Sequence, residues 1–150
     1  MATGDQVAFR STTTVNVPPG EMTRLPLEPE TQSPHLHYEA DRGIVFDTTG
    51  WYEVLLQVEW DPSETSGTRF AHTKIPDNEP LHSEAISAEV LARISEGRQL
   101  LRGNSVFGLD HTTSIVLEVW HDADRPLQVS RAQLVVRELD VDHSFDHLTR

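Results

Sequence analysis

The segment Trp51-Tyr52-Glu53-Val54-Leu55-Leu56-Gln57-Val58-Glu59-Trp60 carries the reading of the fold. Tyr52, Val54, Leu56, Val58 and Trp60 share one side of a period-two pattern. Trp51, Glu53, Gln57 and Glu59 share the other, with Leu55 among them. Successive side chains of a strand point to opposite faces, so this spacing predicts a strand with one buried face. Residues 114–121 repeat the rhythm, with Ile115, Leu117 and Val119 on one side and Val116, Glu118 and Trp120 on the other. In 127–139, Ala132, Leu134 and Val136 alternate with Arg131, Gln133, Val135 and Arg137.

Shorter strands are expected at Val7–Arg10, His35–Tyr38, Ile44–Phe46, Thr68–Ile75 and Ser105–Asp110, with an edge strand at Met22–Leu27, where Pro26 cannot donate to a ladder. Residues 84–96 have good helix formers, but Ile86, Ala88, Val90, Ala92 and Ile94 alternate without a miss and are read as a strand. Turn residues recur roughly every 8–12 positions, as in a β-sandwich or barrel. The reading is all-β, a two-sheet antiparallel sandwich over residues 1–139, followed by an acidic, His-containing tail at 140–150.

The 150 residues hold 24 acidic and 12 basic side chains, eight His and no Cys, for a formal net charge of −12. That length fits one domain. Without thiols there is no disulfide, thiolate–metal site or cysteine nucleophile. The negative charge argues against nucleic acid, whose phosphates call for a basic surface, and against anionic lipid. No signal peptide and no apolar run of about 20 residues is visible, so membrane insertion is not expected and the compartment stays open.

Four pieces of the chain together resemble the jelly-roll domains of the tumour necrosis factor (TNF) superfamily, especially its complement-q-type globular heads. Val7-Ala8-Phe9 resembles the opening strand. Phe46-Asp47-Thr48-Thr49-Gly50-Trp51-Tyr52 resembles the Phe, short gap, Gly-x-Tyr pattern that leads into a long central strand. Gly103–Leu109 with Ser114–Val119 resembles the penultimate hairpin, and Ser130–Leu139 the closing strand. The turn at 110–113 lacks the family's Gly-acidic pair, no Gly-x-y stalk precedes the domain, and 11–40 matches poorly. The resemblance implies a jelly roll of about ten strands, a compact homotrimer, binding of protein or glycan ligands rather than catalysis, and a usually extracellular setting. Apolar residues on the second face of two strands, Trp51, Leu55, Val116 and Trp120, fit an oligomer interface, with cover by a loop or the tail as the plainer alternative. For Trp51 and Trp120, ligand contact ranks second; Tyr52 and Trp60 are expected in the core.

Two His pairs invite a divalent-metal reading. His35-Leu36-His37 has strand spacing that would turn both imidazoles the same way. It suggests a cupin-like, metal-dependent enzyme, but Glu39 comes too soon, Asp41 is the wrong residue, and the later His motif is missing; a surface His pair is the alternative. His143 and His147 stand four apart, as on one helix face, or else belong to a solvated tail. A calcium loop at Asp140 fails because Phe145 stands where Gly is needed. His72, His82, His111 and His121 are scattered, though threefold symmetry would bring three copies of an axial His together. Asp122 and Asp124 sit in a turn and read as solubilising. No Gly-x-Ser-x-Gly, P-loop or dinucleotide motif occurs. The favoured reading is a non-catalytic, homotrimeric binding or structural module without a cofactor. A cupin-like enzyme and a carbohydrate-binding module resting on Trp51, Trp60 and Trp120 are the alternatives.

Overall fold

The computed structural model describes residues 6–31, 33–61, 67–76, 80–86, 99–109 and 113–139, and of 80–86, 99–107 and 109 the backbone alone. Among these residues the chain forms twelve strands: β1 (Gln6–Arg10), β2 (Val15–Val17), β3 (Thr23–Arg24), β4 (Glu28–Pro29), β5 (Leu36–Glu39), β6 (Gly43–Phe46), β7 (Gly50–Trp60), β8 (Arg69–Lys74), β9 (Pro80–Ile86), β10 (Gln99–Leu109), β11 (Ser114–His121) and β12 (Leu127–Leu139). They pair antiparallel into two sheets. The first runs β10-β7-β12-β1-β4 with β2 also on β12; the second runs β5-β6-β11-β8-β9 with β3 also on β11. From β9 onward the chain changes sheet at every step, β9 to β10 to β11 to β12. This is the jelly-roll sandwich that the period-two pattern and the turn spacing predict. Among the described residues, no helix is long and apolar enough to cross a membrane.

The core lies between the sheets and follows the alternation. Tyr52, Val54, Leu56, Val58 and Trp60 of β7 are buried, as are Ile115, Leu117 and Val119 of β11 and Ala132, Leu134 and Val136 of β12. Burying each large apolar side chain contributes about 1.5–3 kcal/mol. Phe46 meets Tyr52 edge-on at 4.6 Å between ring centroids.

One irregularity in β12 matters for its surface. Leu127 and Val129 face inward on odd positions, but Ala132, Leu134 and Val136 face inward on even ones. The phase changes at a β-bulge: Val129 pairs with Trp60 and Arg131 with Glu59, leaving Ser130 without a counterpart. A bulge of this kind inserts one extra residue and bends the strand. Ser130 and Arg131 are consequently both exposed.

Several boundaries differ from expectation. The edge strand foreseen at Met22–Leu27 shortens to the two-residue β3: the Leu25 N–H still donates to the Leu117 carbonyl at 2.9 Å, but Pro26 has no N–H and the Leu27 N–H donates to the Tyr38 hydroxyl, so the ladder stops there. Strand β2 was not foreseen; three residues give too short a pattern to read. β10 starts at Gln99, earlier than Ser105. The segment 84–96 enters as strand through Ile86; residues 87–96 lie outside the described ones, as do the turn 110–112 and the tail with His143 and His147.

Gly43 opens β6 at φ 92°, where a Cβ would collide with the Ile115 carbonyl oxygen and come within 2.7 Å of Val116 Cγ1. Replacing it strains the backbone and overpacks the contact with β11. Gly43→Ala is expected to lower unfolding free energy by about 2–4 kcal/mol, read as a lower urea midpoint with an unchanged slope.

Candidate functional site

The outward positions of the first sheet are set by the same register that buries its inner face. Ala8 of β1 lies opposite Val135 of β12, and Val135 opposite Leu55 of β7. These three form an apolar row across three adjacent strands. Leu55 is 38 % exposed; Ala8 and Val135 are half-buried. Two residues along, Gln6, Arg137 and Glu53 form a polar row in which Arg137 and Glu53 pair as ions. Two further along, Trp51 faces Leu139 on one side and Gly108 on the other. The Trp51 ring lies over Gly108, where an added Cβ would sit 3.4 Å from its carbons. On the other side of the apolar row stand Arg10, Gln133 and Gln57.

The second sheet has a different outer face. Val116, Glu118 and Trp120 of β11 lie opposite Lys74, His72 and Phe70 of β8. Glu118 accepts from His72 Nε2 at 2.8 Å and lies 4.0 Å from Lys74 Nζ. The His72 ring stands edge-on to Phe70 at 5.2 Å. Val116 is only 3 % exposed within the single chain, partly because it packs over Gly43. Its apolarity is thus accounted for inside the chain. Trp51 and Leu55 belong to one sheet, Val116 and Trp120 to the other, so the four expected interface residues do not make one surface.

At the end of the sandwich where β5 begins, the two foreseen histidines part. The chain bends at Pro34 and His35 and becomes extended only at Leu36, so strand alternation does not reach His35. His35 Nδ1 bonds Glu138 of the opposite sheet at 2.9 Å. His37 is held on its own sheet, Nδ1 at 2.7 Å from Asp47 and Nε2 at 2.7 Å from Glu39. The imidazoles share no carboxylate, and both nitrogens of His37 are taken by hydrogen bonds. Among the described residues no group of three or more His, Asp or Glu side chains is arranged to hold a metal ion. Nearby, Tyr52 donates its hydroxyl to the Thr48 carbonyl. Burial first, then the negative charge of Glu138 and Asp47, pushes its pKa up to about 12, so it stays a neutral phenol.

His121, one of the scattered histidines, has a structural role that its position in the sequence does not show. It is fully buried, its Nε2–H donates to the Val17 carbonyl at 2.8 Å, and its Nδ1 accepts from the Ala123 N–H at 3.1 Å. One nitrogen donating and the other accepting define a neutral imidazole. Its ring meets Trp60, over which the buried Arg69 guanidinium also lies, 6.0 Å from the ring centroid. Asp122 accepts from the Thr68 N–H and so ties two turns together, a structural role for one of the paired carboxylates.

No family model matches the chain, and no curated protein sequence does. Solved structures do share its architecture. The Eiger TNF from S. frugiperda is 17 % identical with a TM-score of 0.63, the match covering 93 % of this chain and 94 % of that one. Murine APRIL is 16 % identical with a TM-score of 0.62, covering 90 % and 100 %. The PRD1 vertex protein P5 is 14 % identical with a TM-score of 0.67, covering 93 % and 100 %. The chain therefore has a TNF-like jelly-roll fold, as the four quoted segments suggested.

The carboxylates of Glu39 and then Asp47 raise the His37 pKa above its ordinary 6.5, against a smaller opposing effect of burial. A raised folded-state value means that the contact stabilises fully below about pH 6.5 and is lost as pH rises through the folded pKa. An NMR titration is expected to place His37 above 6.5, and Asp47→Asn to lower it; an equal value in both proteins contradicts the clamp.

Proposed function

We propose that the chain is a non-catalytic module that binds or builds by associating with copies of itself, as a homotrimer, through the outer face of its first sheet. The observation that carries this is the apolar row Ala8–Val135–Leu55, extended by Trp51 and Leu139. An antiparallel sheet with one solvated face ordinarily alternates apolar-in and polar-out. Here the middle of the longest pair of strands breaks that rule on its outward side. The Arg137–Glu53 pair between the two apolar parts is internally neutral, so it opposes association less than the net charge of −12 suggests.

The fold supports the same reading. By their names, the similar structures include an Eiger TNF and a PRD1 vertex protein. A TNF and a vertex protein both occur on this architecture, and fold likeness alone does not choose between a binding and a building role. A cupin-like metal enzyme has no comparable support in the arrangement of His35 and His37.

Light scattering after size exclusion is expected to give the mass of three 16.9 kDa chains at micromolar concentration. Leu55→Glu would leave an unpaired charge buried in each contact, at a cost of about 3–5 kcal/mol. It is expected to run as a folded monomer. A monomeric wild-type protein overturns the proposal.

A further inference from the structure

The β12 bulge builds a second feature on the first sheet. Because Ser130 and Arg131 both turn outward, a polar cavity of about 370 Å³ opens beside them, lined also by Arg10, Ser11, Glu30, Gln57, Ala132 and Gln133. Its walls are well fixed. The Ser11 N–H donates to the Ala132 carbonyl, and the Ala132 N–H donates to Ser11 Oγ, both at 2.9 Å. Gln133 Nε2 donates to Glu30 at 3.0 Å, and Arg10 lies 3.9 Å from the same carboxylate. The Arg131 side chain has no ion pair or hydrogen bond among the described residues.

Among the lining residues two guanidinium groups face one carboxylate, a surplus of one positive charge in a chain whose net charge is −12; Glu59, opposite Arg131 in the strand register, and Glu28, opposite Arg10, stand outside the lining. The surplus belongs to Arg131, since Glu30 already faces Arg10 and Gln133. A guanidinium presents two parallel N–H groups that match a carboxylate. The amides of Gln57 and Gln133 and the hydroxyls of Ser11 and Ser130 offer both donors and acceptors, as a ligand rich in hydroxyls requires. The volume is that of a small-molecule pocket. Bulges commonly re-aim side chains beside functional sites.

We propose that this cavity binds a small hydroxylated molecule bearing one carboxylate, an acidic monosaccharide by class, with Arg131 holding the carboxylate and Gln57, Gln133 and the two serines taking its hydroxyls. The site is complete within one chain, so it does not depend on self-association. It lies on the same face as the apolar row, and the test uses both the wild-type protein and Leu55→Glu.

The experiment is an amide NMR titration with D-glucuronate, D-glucose and glucose 6-phosphate, each to about 10 mM. Glucuronate is expected to give saturable shifts at Ser11, Arg131 and Gln133 in at least one of the two proteins. Glucose should give none, and the doubly charged phosphate weaker ones. Arg131→Gln, an exposed substitution, should weaken glucuronate binding about tenfold or more while leaving the remaining spectrum intact. Glu30→Gln raises the surplus charge by one and should shift the preference toward the phosphate. Absence of saturable shifts in both proteins overturns the site. Equal response to glucose, tighter binding of the phosphate by the unsubstituted cavity, or indifference to Arg131→Gln overturns its assigned chemistry.

Discussion

The structure depends on the burial of two alternating faces against each other. On β7 the inward set runs from Tyr52 to Trp60; on β12 it runs from Leu127 to Val136. A slip of one residue between these strands would carry the whole inward set of the strand that slips to solvent, so the hydrophobic effect holds the register tightly. All outward features inherit that register. Leu55 meets Val135, and Val135 meets Ala8, because Leu56 and Leu134 must face the core. The bulge at Ser130 is the one place where β12 changes phase, and it is where the sheet gains a cavity instead of a flat polar surface.

Charge is distributed to suit a chain with twice as many acids as bases. Among the described residues, histidines supply many of the carboxylate contacts: His35 with Glu138, His37 with Glu39 and Asp47, and His72 with Glu118. Imidazole changes charge near neutrality, so the His37 contacts with Glu39 and Asp47 respond to pH in a way that Arg pairs do not. Arginine is used differently. Arg69 is buried above Trp60, Arg137 neutralises Glu53 between two apolar parts of the first sheet, and Arg131 stands at the cavity. Among the described residues, the first sheet's outer face thus pairs Arg137 with Glu53 and Arg10 with Glu30 although the whole molecule is acidic.

Much of the sandwich was legible in residue order. Tyr52 and Trp60 are expected in the core and are buried; Val54, Leu56 and Val58, which share their face, and the sets Ile115, Leu117, Val119 and Ala132, Leu134, Val136, which spacing groups on single faces, are buried with them. Strong alternation over eight or more residues leaves one face to bury. Short strands were less readable: β2 has three residues and β3 and β4 two each, too few to show a period. The His35–His37 spacing misled about direction, because the rule that alternate residues share a face holds only inside a strand, and the strand begins at Leu36. Leu55 and Trp51 stood out as apolar residues on a polar face. Their partners Ala8, Val135 and Leu139 could not be joined to them, since they lie far away in sequence on other strands.

The sequence by itself determined that the chain is all-β and which residues of its long strands share a face, and its acidity argues against phosphate-rich partners. Those conclusions rest on local periodicity and on summed charge, and both are properties of the chain before it folds. Only the tertiary structure decided that Val116 and Trp120 lie on a different sheet from Leu55 and Trp51, that His35 bonds Glu138 while His37 bonds Glu39 and Asp47, and that Ser130 and Arg131 open a cavity with Arg10. Each depends on which strands become neighbours and where a ladder slips by one residue. Pairing between distant segments is chosen by the packing of the whole core, not by any one strand's own pattern.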